Sequence, residues 1–290
     1  MAKVWLNGEI MDPAQATLSV YDKSVLYGDG CFEGIRAYAG RIFKLRTHLK
    51  RLWSSCDRVR LVPPVTMDEF EQAIRDTVKA SGLSDAYIRP VFTRGTGTLG
   101  LNPFVCKKAS AFIIVDTIAI YPKELYEQGM PVIIAKRRRV PIACLDPAIK
   151  SCNYLNNILA KIEAIDAGML EAVMLNCDGF VSECTGDNIF IVKGGTVFTP
   201  PYEAGILHGI TRQFVAETIC PALGHEVRET MFKTDELLAA DEVFLTGTAA
   251  EVIGVSKVDG TKVGNGAVGP VTKAIAAEFR KRVETNAPED

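Results

Sequence analysis

Histidine and tryptophan are scarce in this 290-residue chain, with three and two copies. The histidines, His48, His208 and His225, lie far apart, and the eight cysteines form no CxxC pair. A zinc site therefore has little support, and no metal is expected. Long apolar runs are also missing. The longest, around Ala111 to Ile120, is broken by Asp116 and Thr117 and falls short of a membrane span. The opening MAKVWLNGEIM lacks the apolar h-region of a signal peptide. Charge of neither sign dominates: 33 Lys and Arg stand against 35 Asp and Glu, a formal net charge of −2. That balance gives no general pull on nucleic acid or anionic lipid. No internal repeat, low-complexity tract or GxxxxGK[ST] loop is present. What remains is 48% hydrophobic and 23% charged, the profile of a globular protein that can bury a proper core. Scattered cysteines without a secretion signal read as reduced thiols of a cytoplasmic protein.

The pattern along the chain predicts two α+β units. Asn7-Gly8 between Val4-Trp5-Leu6 and Glu9-Ile10-Met11 fits a tight hairpin. A strand is expected from Cys31 to Tyr38. Leu45, Leu49, Leu52, Trp53, Cys56 and Val59 at helical spacing then predict an amphipathic helix, and a second helix runs from Met67 to Ala80. Strands at Tyr87 to Arg94 and Ser110 to Ile120 close the first unit, with a glycine-rich loop from Gly95 to Asn102 between them. Tyr121 to Gly129 reads as a linker. Beyond it come a helix from Asn156 to Ala167, strands at Ala172–Leu175, Phe180–Ser182, Asn188–Val192 and Thr196–Thr199, a helix from Thr211 to Ala222, a strand at Glu242–Leu245 and a terminal helix from Val271 to Val283. The expected division is 1–120, a linker at 121–130, and a larger domain at 131–290, with the cleft between domains as the natural ligand site.

Several side chains have the chemistry of a site. Lys150 lies between Ile149 and Cys152, and a lysine desolvated in this way can act as an amine nucleophile. Ser151 and Asn153 are placed to cap the following helix, and Tyr154 is four residues on. A solvated surface lysine has the same local sequence. Glu183, at a strand end beside Thr185-Gly186, suits a carboxylate that pairs a protonated ring nitrogen, though a turn glutamate reads alike. Gly205-Ile206-Leu207-His208-Gly209-Ile210-Thr211-Arg212 leads into a helix whose free N–H groups favour an anion. Thr246-Gly247-Thr248-Ala249 after a strand is a second possible nest. Arg51 points away from the apolar stripe of its helix, so periodicity places it in solvent. Arg89, alternating with Ile88 in a strand, can receive a carboxylate bidentately or sit as an edge charge. The run Lys136-Arg137-Arg138-Arg139 reads as a solvated strand end, with no interleaved aromatics for nucleic-acid stacking.

Taken in order, YGDGCFEGIRAY, FKLRTHLKRL, AYIRP, KSCNYLNN, SECTGDNIF, LHGITR and FLTGTAAE resemble the fold-type IV pyridoxal-phosphate enzymes, and within them the branched-chain amino acid aminotransferases. The resemblance covers nearly the whole chain. It implies a two-domain α+β enzyme with a D-amino-acid aminotransferase-like fold, and pyridoxal 5′-phosphate in the interdomain cleft. Lys150 on the larger domain would be the Schiff-base lysine. Glu183 would pair the pyridine nitrogen, Tyr154 the ring oxygen, and Leu207 would pack on the ring. Arg51, Gly209, Ile210, Thr211, Gly247 and Thr248 would hold the phosphate, which overrides the solvent reading of Arg51. Tyr27, Phe32, Tyr87, Arg89, Thr248 and Ala249 match substrate positions, with Arg89 receiving the distal carboxylate of glutamate.

The implied reaction is ping-pong transamination of L-Leu, L-Ile and L-Val with 2-oxoglutarate, in a homodimer or larger homo-oligomer. D-amino-acid aminotransferases also resemble the chain, including Thr93-Arg94-Gly95-Thr96, but their Arg-x-His trap is replaced by Thr98-Leu99-Gly100-Leu101. Aminodeoxychorismate lyases and amine transaminases share the scaffold. A non-enzymatic nucleic-acid binder resting on Lys136 to Arg139 is opposed by the net charge.

Overall fold

The computed structural model describes residues 1–118 and 121–286. The chain divides into two compact units. The first comprises Met1–Ile118 with Ile149–Asn153, and the second Ala119–Ala148 with Tyr154–Thr285. Among the described residues no helix is long and apolar enough to cross a membrane.

The first unit contains strands β1 (Lys3–Leu6), β2 (Glu9–Met11), β3 (Gly30–Phe32), β4 (Ile35–Tyr38), β5 (Arg41–Ile42), β6 (Ala86–Thr93) and β7 (Ser110–Asp116). Its helices are α1 (Lys23–Tyr27), α2 (Leu45–Arg58) and α3 (Met67–Ser81). The strands form one sheet in the order β2-β1-β7-β6-β4-β5, with β3 also on β6. The Asn7-Gly8 hairpin is present, with Leu6 opposite Glu9. Leu45, Leu49, Leu52 and Cys56 bury one stripe of α2, and Thr66 and Glu69 cap α3 reciprocally. Trp5, Trp53, Phe70 and Phe92 pack ring to ring at 4.5–6.0 Å.

The single strand expected from Cys31 to Tyr38 is two strands on one edge of β6. Pro90 has no N–H to give that edge. Opposite it the ladder breaks, and the Glu33 N–H donates to the Pro90 carbonyl at 2.9 Å.

The lysine segment is also placed differently from the expected division. Ile149–Asn153 belongs to the first unit because its backbone pairs with β3. Phe32 N–H donates to Lys150 O at 3.0 Å, and Cys152 N–H to Gly30 O at 2.8 Å. The Ser55 hydroxyl, on α2, accepts the Lys150 N–H at 3.1 Å.

The second unit holds α4 (Lys123–Gln128), β8 (Met130–Ile134), α5 (Leu155–Asp166), β9 (Ala172–Leu175), β10 (Val181–Cys184), β11 (Asn188–Lys193) and β12 (Thr196–Thr199). There follow α6 (Ile210–Phe214), α7 (Cys220–Ala222), β13 (Val227–Glu229), α8 (Thr234–Leu238), β14 (Glu242–Gly247), β15 (Glu251–Val258), β16 (Thr261–Lys262) and α9 (Pro270–Lys281). Its sheet runs β10-β9-β8-β15-β14-β11-β12-β13, with β16 on β15. A π-helical turn at Val215–Ile219 joins α6 to α7, so the helix expected from Thr211 is continuous but widened in the middle. Part of the expected linker is α4, and part is β8. Ser151 and Asn153 do not cap α5, whose N-cap is Tyr154 without a side-chain bond. The strand expected to reach Ile120 ends at Asp116, and positions 119 and 120 lie outside the described residues. The last four positions of the expected C-terminal domain, 287–290, lie outside them too.

Candidate active site

In the first unit the predicted residues gather around one ring. Lys150 Nζ lies 4.7 Å from the centre of the Phe32 ring, and the Arg89 guanidinium lies 4.7 Å from the same centre. Arg89 also donates to the Tyr87 hydroxyl at 2.7 Å. Its Nε is buried and has no hydrogen-bond partner, so a strong donor is held in reserve among aromatic faces. Tyr27, at the end of α1, accepts the Gly100 N–H through its hydroxyl at 3.1 Å.

Arg51 is not solvated. It grips Glu33 as a fork, Nε to Oε1 at 2.6 Å and an Nη to Oε2 at 2.8 Å. Glu33 is 0% exposed and also meets His48 Nδ1 at 2.8 Å. A carboxylate only accepts, so His48 Nδ1 carries the proton. Burial pushes the Glu33 carboxyl up, but the Arg51 charge together with His48 outweighs it and holds the group well below the usual range. Burial pushes the His48 imidazole down despite Glu33, and Arg51 and Lys150 push it the same way. The result is an ionised carboxylate orienting an arginine, with a neutral imidazole beside it.

In the second unit Glu183 is buried and bound on both oxygens. Arg139 reaches Oε1 from Nε at 2.9 Å and Nη2 at 2.8 Å. Asn188 Nδ2 and the Leu207 N–H donate to Oε2 at 3.1 and 2.9 Å. Arg139 in turn is fixed by Asn157 and Asn156. The basic run is therefore solvated only at Lys136, Arg137 and Arg138; Arg139 is 5% exposed. Periodicity missed it because the strand has already ended at Ile134. An arginine is buried only when its charge is met, and Glu183 meets it.

Ile210 and Thr211 begin α6 behind Gly209, and no side chain caps that end. A Cβ on Gly209 would collide with the Asn188 side chain, and one on Gly247 with the Asp187 carboxylate, so each glycine permits a close approach that no other residue would. Thr248, Ala249 and Ala250 turn between β14 and β15. Just before them the Thr246 hydroxyl is buried without a partner.

Beside Gly247 lies a carboxylate pair that, among the described residues, meets a lysine rather than an arginine: Lys161 Nζ is 4.0 Å from Glu171. The Tyr121 hydroxyl lies 3.1 Å from Asp187 and 3.3 Å from Glu171. Glu171 is further bonded by the Ala172 and Thr185 N–H groups at 2.8 and 3.0 Å and by the Thr185 hydroxyl. Asp187 has no such donors, and burial with the Glu171 charge pushes its carboxyl up to about 7. Glu33, His48, Arg139, Asn188, Glu171 and Asp187 were all absent from the predicted set. The one available signal was their polarity inside otherwise apolar strands and helix faces.

The model of the amino-transferase class IV family matches residues 30–258. The chain belongs to that family. A putative branched-chain-amino-acid aminotransferase of Methanocaldococcus jannaschii is 45% identical over 278 residues, 96% of this chain and 95% of the relative. The crystal structure of the Escherichia coli branched-chain amino acid aminotransferase superposes with a TM-score of 0.95 at 35% identity, covering 99% of this chain and 96% of that one. A T.th. branched-chain amino acid aminotransferase complexed with N-(5′-phosphopyridoxyl)-L-glutamate has a TM-score of 0.92 at 36% identity, covering 99% and 95%.

The residues of this class IV aminotransferase fit a phosphate-bearing cofactor. The unpartnered Thr246 hydroxyl and the uncapped α6 terminus are donors awaiting an acceptor, and the glycines clear space beside both.

Proposed function

We propose that this protein transfers the amino group of L-leucine, L-isoleucine or L-valine to 2-oxoglutarate, giving branched-chain 2-oxo acids and L-glutamate in a ping-pong cycle. Pyridoxal 5′-phosphate, when bound, supplies the reactive carbonyl and the electron-withdrawing ring. Lys150 would be the residue that holds it, and its Nζ would carry the proton at the substrate α-carbon. Glu183, gripped by Arg139, would hold a protonated ring nitrogen, and Tyr154 would bond the ring oxygen. Leu207 would pack on the ring. Arg51, oriented by Glu33, and the Gly209–Thr211 and Gly247–Thr248 donors bind the phosphate.

The observation that carries the substrate reading is Arg89. One guanidinium, with a free buried Nε, sits against Phe32 and Tyr87. Aromatic faces accept an aliphatic side chain, and a single fork accepts the distal carboxylate of glutamate. The pairing of a phosphopyridoxyl group with glutamate in the T.th. neighbour accords with this. Arg89→Ala is expected to lower kcat/KM for glutamate by an amount on the order of 2–5 kcal/mol, the cost of stranding a buried charge, while leucine loses far less. Equal losses for the two would assign Arg89 to the α-carboxylate or to structure. A panel of L-Val, L-Leu, L-Ile, D-Ala and an aromatic amine with 2-oxoglutarate tests the wider reading; turnover of D-Ala without L-Leu would overturn it.

The working form we propose is a homo-oligomer in the cytoplasm. Val20, Val25, Leu99, Leu101 and Phe104 in the first unit are large apolar side chains more than half exposed, as are Leu155, Ile158 and Ile165 on α5. Such surface supports association. All eight cysteines are unpaired, which suits a reducing compartment.

A further inference from the structure

Lys23 is a buried lysine with no acid. It opens α1 at 2% exposure, and none of its hydrogen bonds or ion pairs among the described residues goes to a carboxylate. Its neighbour Asp22 is already engaged by the Ser24 N–H and hydroxyl, each at 2.8 Å, and by the Thr93 hydroxyl at 2.7 Å. The ammonium instead donates to the carbonyls of Thr98 and Gly100, at 2.5 and 2.7 Å, and lies 5.1 Å from the centre of the Tyr27 ring. Three donors thus meet two carbonyls and one aromatic face.

Taking an ammonium out of water is costly unless every donor is met. The carbonyls that meet it here belong to the glycine-rich loop between β6 and β7. Within the chain the tip of that loop packs little apolar surface: Leu99 and Leu101, on either side of Gly100, are 70% and 82% exposed. The same loop is tied to α1 twice more, by Lys23 N–H to Gly95 O at 3.0 Å and by Gly100 N–H to the Tyr27 hydroxyl at 3.1 Å. Moving the loop away would strand the charge, so the position of Thr98–Gly100 and that of Tyr27 are set together.

We propose that Lys23 is a positioning residue that latches this loop against Tyr27 and thereby sets which aliphatic side chains are accepted. The selectivity half of this rests on Tyr27 being a substrate-facing residue, as assigned above. The latch half does not.

The test is amide hydrogen exchange of the cofactor-loaded full chain, followed through peptides covering Gly95 to Phe104, with steady-state kinetics in parallel. In the wild type these peptides are expected to be protected; exchange as fast as an unstructured peptide would overturn the latch without any variant. Lys23→Met keeps the stem and removes the charge. It is expected to speed exchange in this loop at least tenfold and leave α2 and β6 unchanged, with Lys23→Arg between it and wild type. Unchanged loop exchange in a folded Lys23→Met protein would also overturn the latch. The kcat/KM ratio of L-leucine to L-valine is expected to shift at least fivefold in Lys23→Met, mainly through KM. A loosened loop with an unchanged ratio would remove Lys23 from selectivity. If the wild type turns over neither amino acid, the transamination reading fails while the exchange data still decide the latch.

Discussion

Among the described residues each unit buries one arginine–glutamate fork, and the two are arranged in opposite senses. In the first, Glu33 is the deeper partner and Arg51 the more exposed, at 0% and 13% of the side chain. The carboxylate is support, and in the proposed function the guanidinium is the group that meets the phosphate. In the second, both partners are equally buried at 6%, Arg139 is pinned by two asparagines, and Glu183 is the group presented. The same ion pair can therefore aim a cation or an anion, depending on which end the surrounding hydrogen bonds immobilise. Removing one partner of a buried pair costs about 3–5 kcal/mol. Glu33→Gln and Arg139→Met should each lower stability by that order in urea unfolding. The comparison sharpens in what else they change. Glu33→Gln should weaken binding of the phosphorylated cofactor, but not of pyridoxal, which has no phosphate. Arg139→Met should weaken both alike.

The Glu171–Asp187 pair shows what happens when no arginine is supplied. Glu33 and Asp187 are both buried carboxylates, yet their acidities move in opposite directions, and so do their pH signatures. Glu33 is held below its ordinary value, so its contribution is present above about pH 4.5 and fades as pH falls. Asp187 is pushed from 3.8 to about 7, so the folded state binds a proton that the unfolded chain has lost. Its contribution is full below pH 3.8 and is lost as pH rises to about 7. Asp187→Asn, which cannot ionise, should remove that slope. The wild type should lose stability relative to the variant between about pH 4 and pH 7, on the order of a few kcal/mol at about 1.4 kcal/mol per unit. Thermal melts of both proteins across that range measure it, and parallel curves would mean that Asp187 titrates normally.

The smallest effect concerns the orphan hydroxyl. Thr246→Val keeps the shape and removes an unsatisfied buried group, so the cofactor-free protein should gain about 1 kcal/mol. If that hydroxyl serves the phosphate, cofactor affinity should fall at the same time by roughly tenfold at most, the worth of one neutral hydrogen bond. A stability gain with unchanged affinity would leave Thr246 outside the cradle.

Much of the fold was legible because amphipathic spacing and turn residues are local signals. The α2 stripe, the Asn7-Gly8 hairpin and the strands Ala172–Leu175 and Thr196–Thr199 lie where the pattern puts them. The break at Glu33 was not legible, because it depends on Pro90 in a distant strand of the sequence. Nor was the pairing of the Lys150 segment with β3. That segment is read locally as the approach to α5, and only its non-local backbone bonds assign it to the first unit. For the site, the residues proposed to touch cofactor or substrate carried motifs. Those that hold them in place, Glu33, His48, Arg139 and Asn188, are single polar side chains in apolar elements, and a partner far away in sequence gives each its meaning. Arg51 shows the limit of a helical wheel: the face opposite the apolar stripe is polar, but Glu33 covers it.

The central claim is that Lys150, set against Phe32, is the amine that binds the cofactor. The direct measurement is to load the purified protein with pyridoxal 5′-phosphate, reduce with borohydride, digest, and locate the phosphopyridoxyl mass. It should lie on the peptide containing Lys150, at close to one per chain, and Lys150→Ala should carry none. Label confined to another lysine, such as Lys23, Lys161 or Lys233, or undiminished labelling of Lys150→Ala, would contradict the account.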